Sequence, residues 1–178
     1  FFAKGSHRFI DRTSTLHAQE NVSSTGNKGG FLGIRVSRAL EHPSKKPEIF
    51  TDVNGIASEV KVLNNEGVTG EYLSSEGVKG EEVWGTRAQW VSLNGIQNDE
   101  AVALTIYDHP ENLGYPTFWH ARGYGLFAAN PLGQKVFSKG DLELNATINK
   151  GERLTFKYRV MVSNGTTVDQ NIANQYTY

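Results

Sequence analysis

The residues with the greatest capacity for chemistry lie between Tyr107 and Gly133, in the run YDHPENLGYPTFWHARGYGLFAANPLG. Asp108, His109, His120 and Arg122 stand there among Tyr107, Tyr115, Phe118, Trp119, Tyr124 and Phe127. Within Phe118-Trp119-His120-Ala121-Arg122, an extended backbone places Phe118, His120 and Arg122 on one face. A histidine beside a guanidinium stays neutral, because the like charge disfavours protonation. A neutral imidazole can take up a proton, which makes His120 a catalytic acid/base candidate and Arg122 a group that polarises a carbonyl or hydroxyl oxygen. The alternative for His120 is a buried ring satisfied by backbone groups.

Asp108-His109-Pro110 ends an apolar run, where side chains are well placed to line a cleft. His109 is the second catalytic candidate. Asp108 is read as a group that orients an imidazole or binds substrate hydroxyls, or, equally, as the cap of a strand terminated by proline. Trp119, Tyr124 and Tyr115 offer ring faces to a sugar, whose C–H faces stack on aromatics while polar side chains bind its hydroxyls. Arg35, a charge within the apolar run GGFLGIRV, is expected to face the same cleft or a buried carboxylate. Trp84-Gly-Thr-Arg87 and Trp90 offer a second aromatic and cationic pair, with Arg87 expected in a salt bridge. His109, His120 and Asp108 are suitable ligand types for zinc or iron, but their spacing matches no close-ligand pattern; the reading is no metal and no cofactor, with a metal ion as the alternative. Nucleophile elbows and phosphate-cradling glycine motifs are absent from the sequence.

The elements that must position these residues are strands. Leu154, Phe156, Tyr158, Val160 and Val162 alternate with polar residues, and so do Leu142, Leu144, Ala146 and Ile148, with a hairpin expected at Asn149–Glu152. Further strands are expected at Arg8–Ala18, Gly30–Val36, Val83–Leu93, Ala101–Tyr107 and Tyr124–Ala129, with a turn at Asn94-Gly95. Ser37–Glu41 allows one helical turn, and Val168, Ile172 and Tyr176 are spaced for a short C-terminal helix. Residues 41–82 are read as an exposed hairpin excursion, its turns marked by Glu66-Gly-Val-Thr-Gly-Glu71 and Glu76-Gly-Val-Lys-Gly-Glu81. Calcium binding there is the weaker alternative. The fold class is therefore all-β, an antiparallel β-sandwich spanning residues 1–178.

A net charge of -1 carries no footprint for nucleic acid, and no apolar run is long enough to span a bilayer as a helix. The chain has no cysteine, which excludes disulfides and thiolate metal sites. The compartment stays open, with the periplasm or the exterior slightly favoured. Phe1 in place of an initiating methionine suggests a piece of a longer protein, whose sheet edges would favour a homo-oligomer or association with a missing N-terminal segment.

The runs NKGGFLGIRVSRAL, EEVWGTRAQWVSLNG and YDHPENLGYPTFWHARGYGLFAANPLG resemble the bacterial family labelled "methane oxygenase PmoA-like", over nearly the whole chain. Members are longer, with an N-terminal β region bearing a His-His-Arg-Gly type motif that has no counterpart here; Gly29 stands where members often carry an acid. The resemblance implies the C-terminal portion of a super-sandwich of the aldose-mutarotase kind. It also implies that His109 and His120 line a cleft for a carbohydrate-type small molecule. Three functions remain open: an enzyme of the glycoside hydrolase, lyase or epimerase type, a noncatalytic carbohydrate-binding domain, and a structural or interaction domain.

Overall fold

In a computed structural model, every residue is described except 45–47, 52–53, 61–63, 168–171 and 176–178; for 48–51, 57–60 and 173–174 the backbone alone is described. The strands are β1 (Phe2–Lys4), β2 (His7–His17), β3 (Val22–Ser24), β4 (Leu32–Arg35), β5 (Glu48–Thr51), β6 (Ala57–Val60), β7 (Glu71–Ser74), β8 (Trp90–Gln97), β9 (Glu100–Asp108), β10 (Phe118–Ala121), β11 (Leu126–Asn130), β12 (Ala146–Ile148) and β13 (Arg153–Asn164). Six of them form the main antiparallel sheet in the order β1-β2-β13-β9-β8-β7. Three more, β10-β11-β4, form the second sheet, and the pairs β12-β3 and β5-β6 stand apart.

The two larger sheets face each other across one core. Tyr72, Val91, Leu93, Ile106, Phe156 and Tyr158 from the main sheet pack with Leu32, Trp119, Ala121, Phe127 and Ala129 from the second. This is an all-β antiparallel sandwich. Each large side chain removed from water here contributes about 1.5–3 kcal/mol, so the rings of Trp119, Phe127 and Phe156 hold much of the interface.

The alternation of β13 places Phe156, Tyr158 and Val160 in this core, but then the buried set changes face. Met161 is fully buried while Val162 is exposed. Met161 joins Phe9, Trp90, Ala103, Tyr107 and Ile172 on the outer face of the sheet. Ile172 belongs to the 3₁₀ turn Ile172–Gln175, and its carbonyl accepts a bond of 3.2 Å from the Tyr107 hydroxyl. The expected C-terminal helix is therefore a single 3₁₀ turn in its described part; residues 168–171 and 176–178 lie outside the described residues.

Four local expectations are corrected. The chain does turn at Asn149–Glu152, where the Glu152 N–H bonds to the Asn149 carbonyl at 2.9 Å, but it closes no hairpin: β13 pairs with β2 and β12 with β3, so two segments turn the corner side by side. Gly151 and Glu152 bond to Ala18 across that corner. Only Ala146–Ile148 of the expected Leu142–Ile148 strand is extended. Val83–Leu93 becomes a strand only from Trp90, because Gly80–Val83 is a 3₁₀ turn and residues 85–88 bond irregularly to residues 117–119. Asn94-Gly95 lies inside β8, and the hairpin to β9 turns instead at Asn98-Asp99, both at positive φ. Gly95 serves close approach: a Cβ there would stand 2.7 Å from a Leu40 methyl.

Ser37–Glu41 contains the 3₁₀ turn Arg38–Leu40. Within residues 41–82, β5 and β6 pair with each other, whereas β7 is an edge strand of the main sheet. Gly67 and Gly77, one in each of the repeated hexapeptides, both adopt positive φ in the turns flanking β7. A one-turn helix, α1 (Gln134–Phe137), follows β11.

Candidate functional site

The segment from Tyr107 to Gly133 divides into two polar clusters with different duties. The first closes the connection between β9 and β10. Residues 109–117 lie outside any ladder, so their backbone groups need other partners. Asp108, fully buried at the end of β9, accepts from the backbone N–H of His109 at 3.1 Å, the backbone N–H of Thr117 at 2.8 Å and the Asn112 side chain at 2.7 Å. Burial pushes its carboxyl up to about 6, and the three N–H donors pull against that rise.

Arg87 is the counterpart of opposite charge. It donates through Nε to the Pro116 carbonyl at 2.8 Å, and through Nη2 to those of Gly114 and Tyr115 at 3.1 and 3.2 Å. Its guanidinium lies over the Phe118 ring, 5.5 Å from the centroid. The expected salt bridge of Arg87 is thus replaced by three backbone carbonyls. Asn112, missed in the sequence, ties the same loop to β13 by donating to the Lys157 carbonyl and accepting from the Lys157 N–H.

His109 belongs to this loop. Its Nδ1 accepts from the Glu111 N–H at 3.1 Å, and burial, with Lys157, holds its pKa below the ordinary value while Glu111 opposes. Tyr115 is half-buried in the loop, and its carbonyl is one of the three that Arg87 holds.

The second cluster gathers at the turn between β10 and β11, residues 122–125. His120 of β10 and Arg122, the first residue after it, do lie on one side: Arg122 Nε donates to His120 Nε2 at 3.2 Å. The other ring nitrogen, Nδ1, bonds to the Lys28 carbonyl. A carbonyl can only accept, so Nδ1 carries the proton and Nε2 is left as the acceptor. The loop that presents this carbonyl is itself fixed, with the Asn27 carbonyl accepting from the Asn130 side chain and Asn27 Oδ1 accepting from the Gly29 N–H.

His120 is closed rather than open to a cleft, being 4% exposed. Trp84 stands edge-on to its ring at 6.4 Å, and Phe137 of α1 does so at 6.1 Å. Burial, reinforced by the charges of Arg122 and Lys28, lowers its pKa against the opposing bond to Lys28. The imidazole is neutral, and both nitrogens are occupied.

Arg122 is half-buried, with its guanidinium 4.5 Å from the Trp84 ring centroid. The backbone at Arg122 is pinned where its carbonyl accepts from the Tyr72 hydroxyl at 3.1 Å. With Nε fixed by His120, its two Nη groups have no hydrogen-bond partner among the described residues. Next along the turn, Tyr124 is half-buried with Arg35 over its ring at 5.6 Å, and Arg35 also donates to the Tyr124 carbonyl at 3.1 Å. Arg35 is exposed on β4, so it meets a carbonyl and a ring instead of a buried carboxylate.

Two expected ligand-binding groups are structural by placement. Trp119 is fully buried, and its indole N–H bonds to the Ala88 carbonyl at 2.9 Å; no ring face reaches a ligand. Asp108 is closed off by the three N–H donors it accepts from. Trp84 pairs with Arg122 and not, as expected, with Arg87. No group of three or more histidine, aspartate or glutamate side chains is arranged to hold a metal among the described residues. Nor is any helix among them long and apolar enough to cross a membrane.

No curated protein and no solved structure matches the chain. The match is to a family whose own role is not known: over residues 1–177, the chain belongs to the Family of unknown function (DUF6807).

Proposed function

We propose that the β10–β11 turn binds a carbohydrate-type small molecule without transforming it, with Arg122 as the principal donor to the ligand's oxygens. Trp84 and His120 hold Arg122, while Tyr124 and Arg35 extend the surface along the turn. The observation that carries this reading is a guanidinium immobilised at its Nε and on an aromatic face, with both Nη groups left for an external acceptor. A donor fixed beforehand loses little side-chain freedom on binding, which favours affinity. In this reading His120 is a positioning residue. The resemblance to PmoA-like proteins and their sugar-handling company belongs to the same proposal.

A catalytic reading has one observation in its favour, the neutral His120 whose Nε2 would become a proton acceptor once Arg122 moved aside. The two are separated by titrating a panel of mono- and disaccharides while following backbone amides by NMR and assaying the same mixtures for turnover. Binding predicts shifts at residues 120–126 and about a tenfold loss of affinity in Arg122→Met, without product at any time. Product formation abolished by His120→Ala establishes the enzyme instead. A panel that shifts no amide and no melting temperature overturns both, since a ligand of the folded state must stabilise it.

A further inference from the structure

The charges around His120 narrow the class of ligand. Arg122 and Lys28 are the charged groups whose fields reach its ring, and both are positive. Arg35 adds a third cation over Tyr124, in the same turn as Arg122. Lys28 and Arg35 are both exposed. Two acids of the same region have partners already. Glu41, beside Gly125, is ion-paired with Arg38, and Asp108 accepts from three N–H groups of its own loop.

Among the described residues, then, three cations and the already paired Glu41 border the turn, and no carboxylate forms an ion pair with Arg122. A half-buried arginine is ordinarily matched by an acid or by carbonyls, as Arg159 is by Asp11 and Arg87 by its loop. The free edge of Arg122 is the pair of Nη groups, a parallel fork that fits the two oxygens of a planar carboxylate. His120 strengthens the arrangement, because its closed, neutral ring holds the fork in place and adds no competing negative charge.

We infer that the ligand at the β10–β11 turn is an acidic sugar, a uronic acid residue whose carboxylate bridges the two Nη groups of Arg122 while Lys28 and Arg35 supply the surrounding positive field. This rests on the proposed carbohydrate-binding role and specifies its substrate class. Bidentate geometry favours a carboxylate over a single hydroxyl, and the exposed cations raise the local concentration of anionic ligand in a salt-dependent way.

The test compares methyl glucuronide and methyl galacturonide with methyl glucoside and methyl galactoside, which carry a hydroxymethyl group in place of the carboxylate. Sodium benzoate and a sulfated methyl glycoside are added as probes, and amide shifts are followed by NMR at low and high salt. The expected result is at least about tenfold tighter binding of a uronide than of its neutral partner, weakened about tenfold by Arg122→Lys and severalfold by Lys28→Ala. Lys28 is exposed, so its variant reports on charge even if Arg122→Lys disturbs the turn. Equal affinity for uronide and neutral glycoside overturns the acidic assignment and leaves carbohydrate binding standing. Benzoate binding without any sugar binding overturns the carbohydrate role and leaves a carboxylate site. Preference for the sulfated glycoside overturns the carboxylate, and silence from every probe overturns both.

Discussion

Arg87 offers the sharpest test of how the dense central segment is held. Its guanidinium makes three hydrogen bonds to the carbonyls of Gly114, Tyr115 and Pro116 and lies over Phe118. Hydrogen bonds to a charged group contribute about 1.5–3 kcal/mol each when measured singly, and an exposed cation–π contact about 0.5–1 kcal/mol. These do not simply add. One side chain is ordered once for all three bonds, and the half-buried carbonyls regain some water when the bonds are lost. Arg87→Met, which keeps the apolar stem, is therefore expected to cost about 2–4 kcal/mol. Arg87→Lys keeps the charge but replaces a fork by a point donor, so it should cost about half as much. Equilibrium urea unfolding followed by tryptophan fluorescence measures both, and hydrogen exchange at residues 112–117 shows whether the loop loosens first. The order wild type, lysine, methionine is the prediction. A lysine variant as stable as wild type would show that the fork contributes nothing. A methionine variant within about 0.5 kcal/mol of wild type, the range of ordinary surface changes, would refute the latch altogether.

Three further outcomes follow from the same geometry. Trp119→Phe removes the indole N–H and orphans the buried Ala88 carbonyl, at about 2–4 kcal/mol of stability by urea titration, while ligand affinity of the folded protein stays unchanged; lost affinity in a fully stable variant would return Trp119 to the site. Asp108 has its folded pKa raised from 3.8 to about 6, so the stability it contributes is full below about pH 4 and falls by as much as about 3 kcal/mol as pH rises to 6. Asp108→Asn should abolish that fall, and wild-type and variant stability curves that stay parallel from acid to neutral pH would refute it. His120 has its folded pKa lowered below 6.5, so its contribution is present above that value and is lost as pH falls, because the unfolded chain takes the proton first. His120→Gln should flatten this acid-side loss, and an unchanged slope of stability against pH would show that the ring titrates freely.

The legibility of the fold follows the range of the forces involved. Alternation in Arg153–Val162 was readable because one face of β13 packs on the second sheet. The reversal at Met161 was not, because it depends on Ile172 covering the outer face from the far end of the chain. Local turn chemistry misled twice. Asn149–Glu152 does turn, yet the strands on either side of it pair elsewhere, β13 along eleven positions with β2. Asn94-Gly95 has the strongest dipeptide signal for a turn, but its glycine answers the approach of Leu40, which no neighbouring residue reveals.

The candidate site shows the same division, and it explains why reactive residue types cluster where no reaction need occur. The link from His120 to Arg122 was visible because residues two apart in an extended run lie on one side. The Lys28 carbonyl, 92 positions away, and the rings of Trp84 and Phe137 were invisible, although they decide that His120 is closed. Density of polar groups measures irregular backbone as well as chemistry. A connection between two buried strands presents N–H and C=O groups that no ladder can satisfy, so acids and arginines are recruited to complete it. Asp108 and Arg87 meet that need from opposite signs, one accepting N–H groups and the other donating to carbonyls. Arg122 differs because the backbone makes no demand on its outward face. Its Nε is fixed, its plane is stacked, and its remaining donors point at nothing within the described chain. A guanidinium held in that way keeps two donors for an acceptor outside the chain, which separates it from Asp108 and Arg87, whose bonds close their own loop.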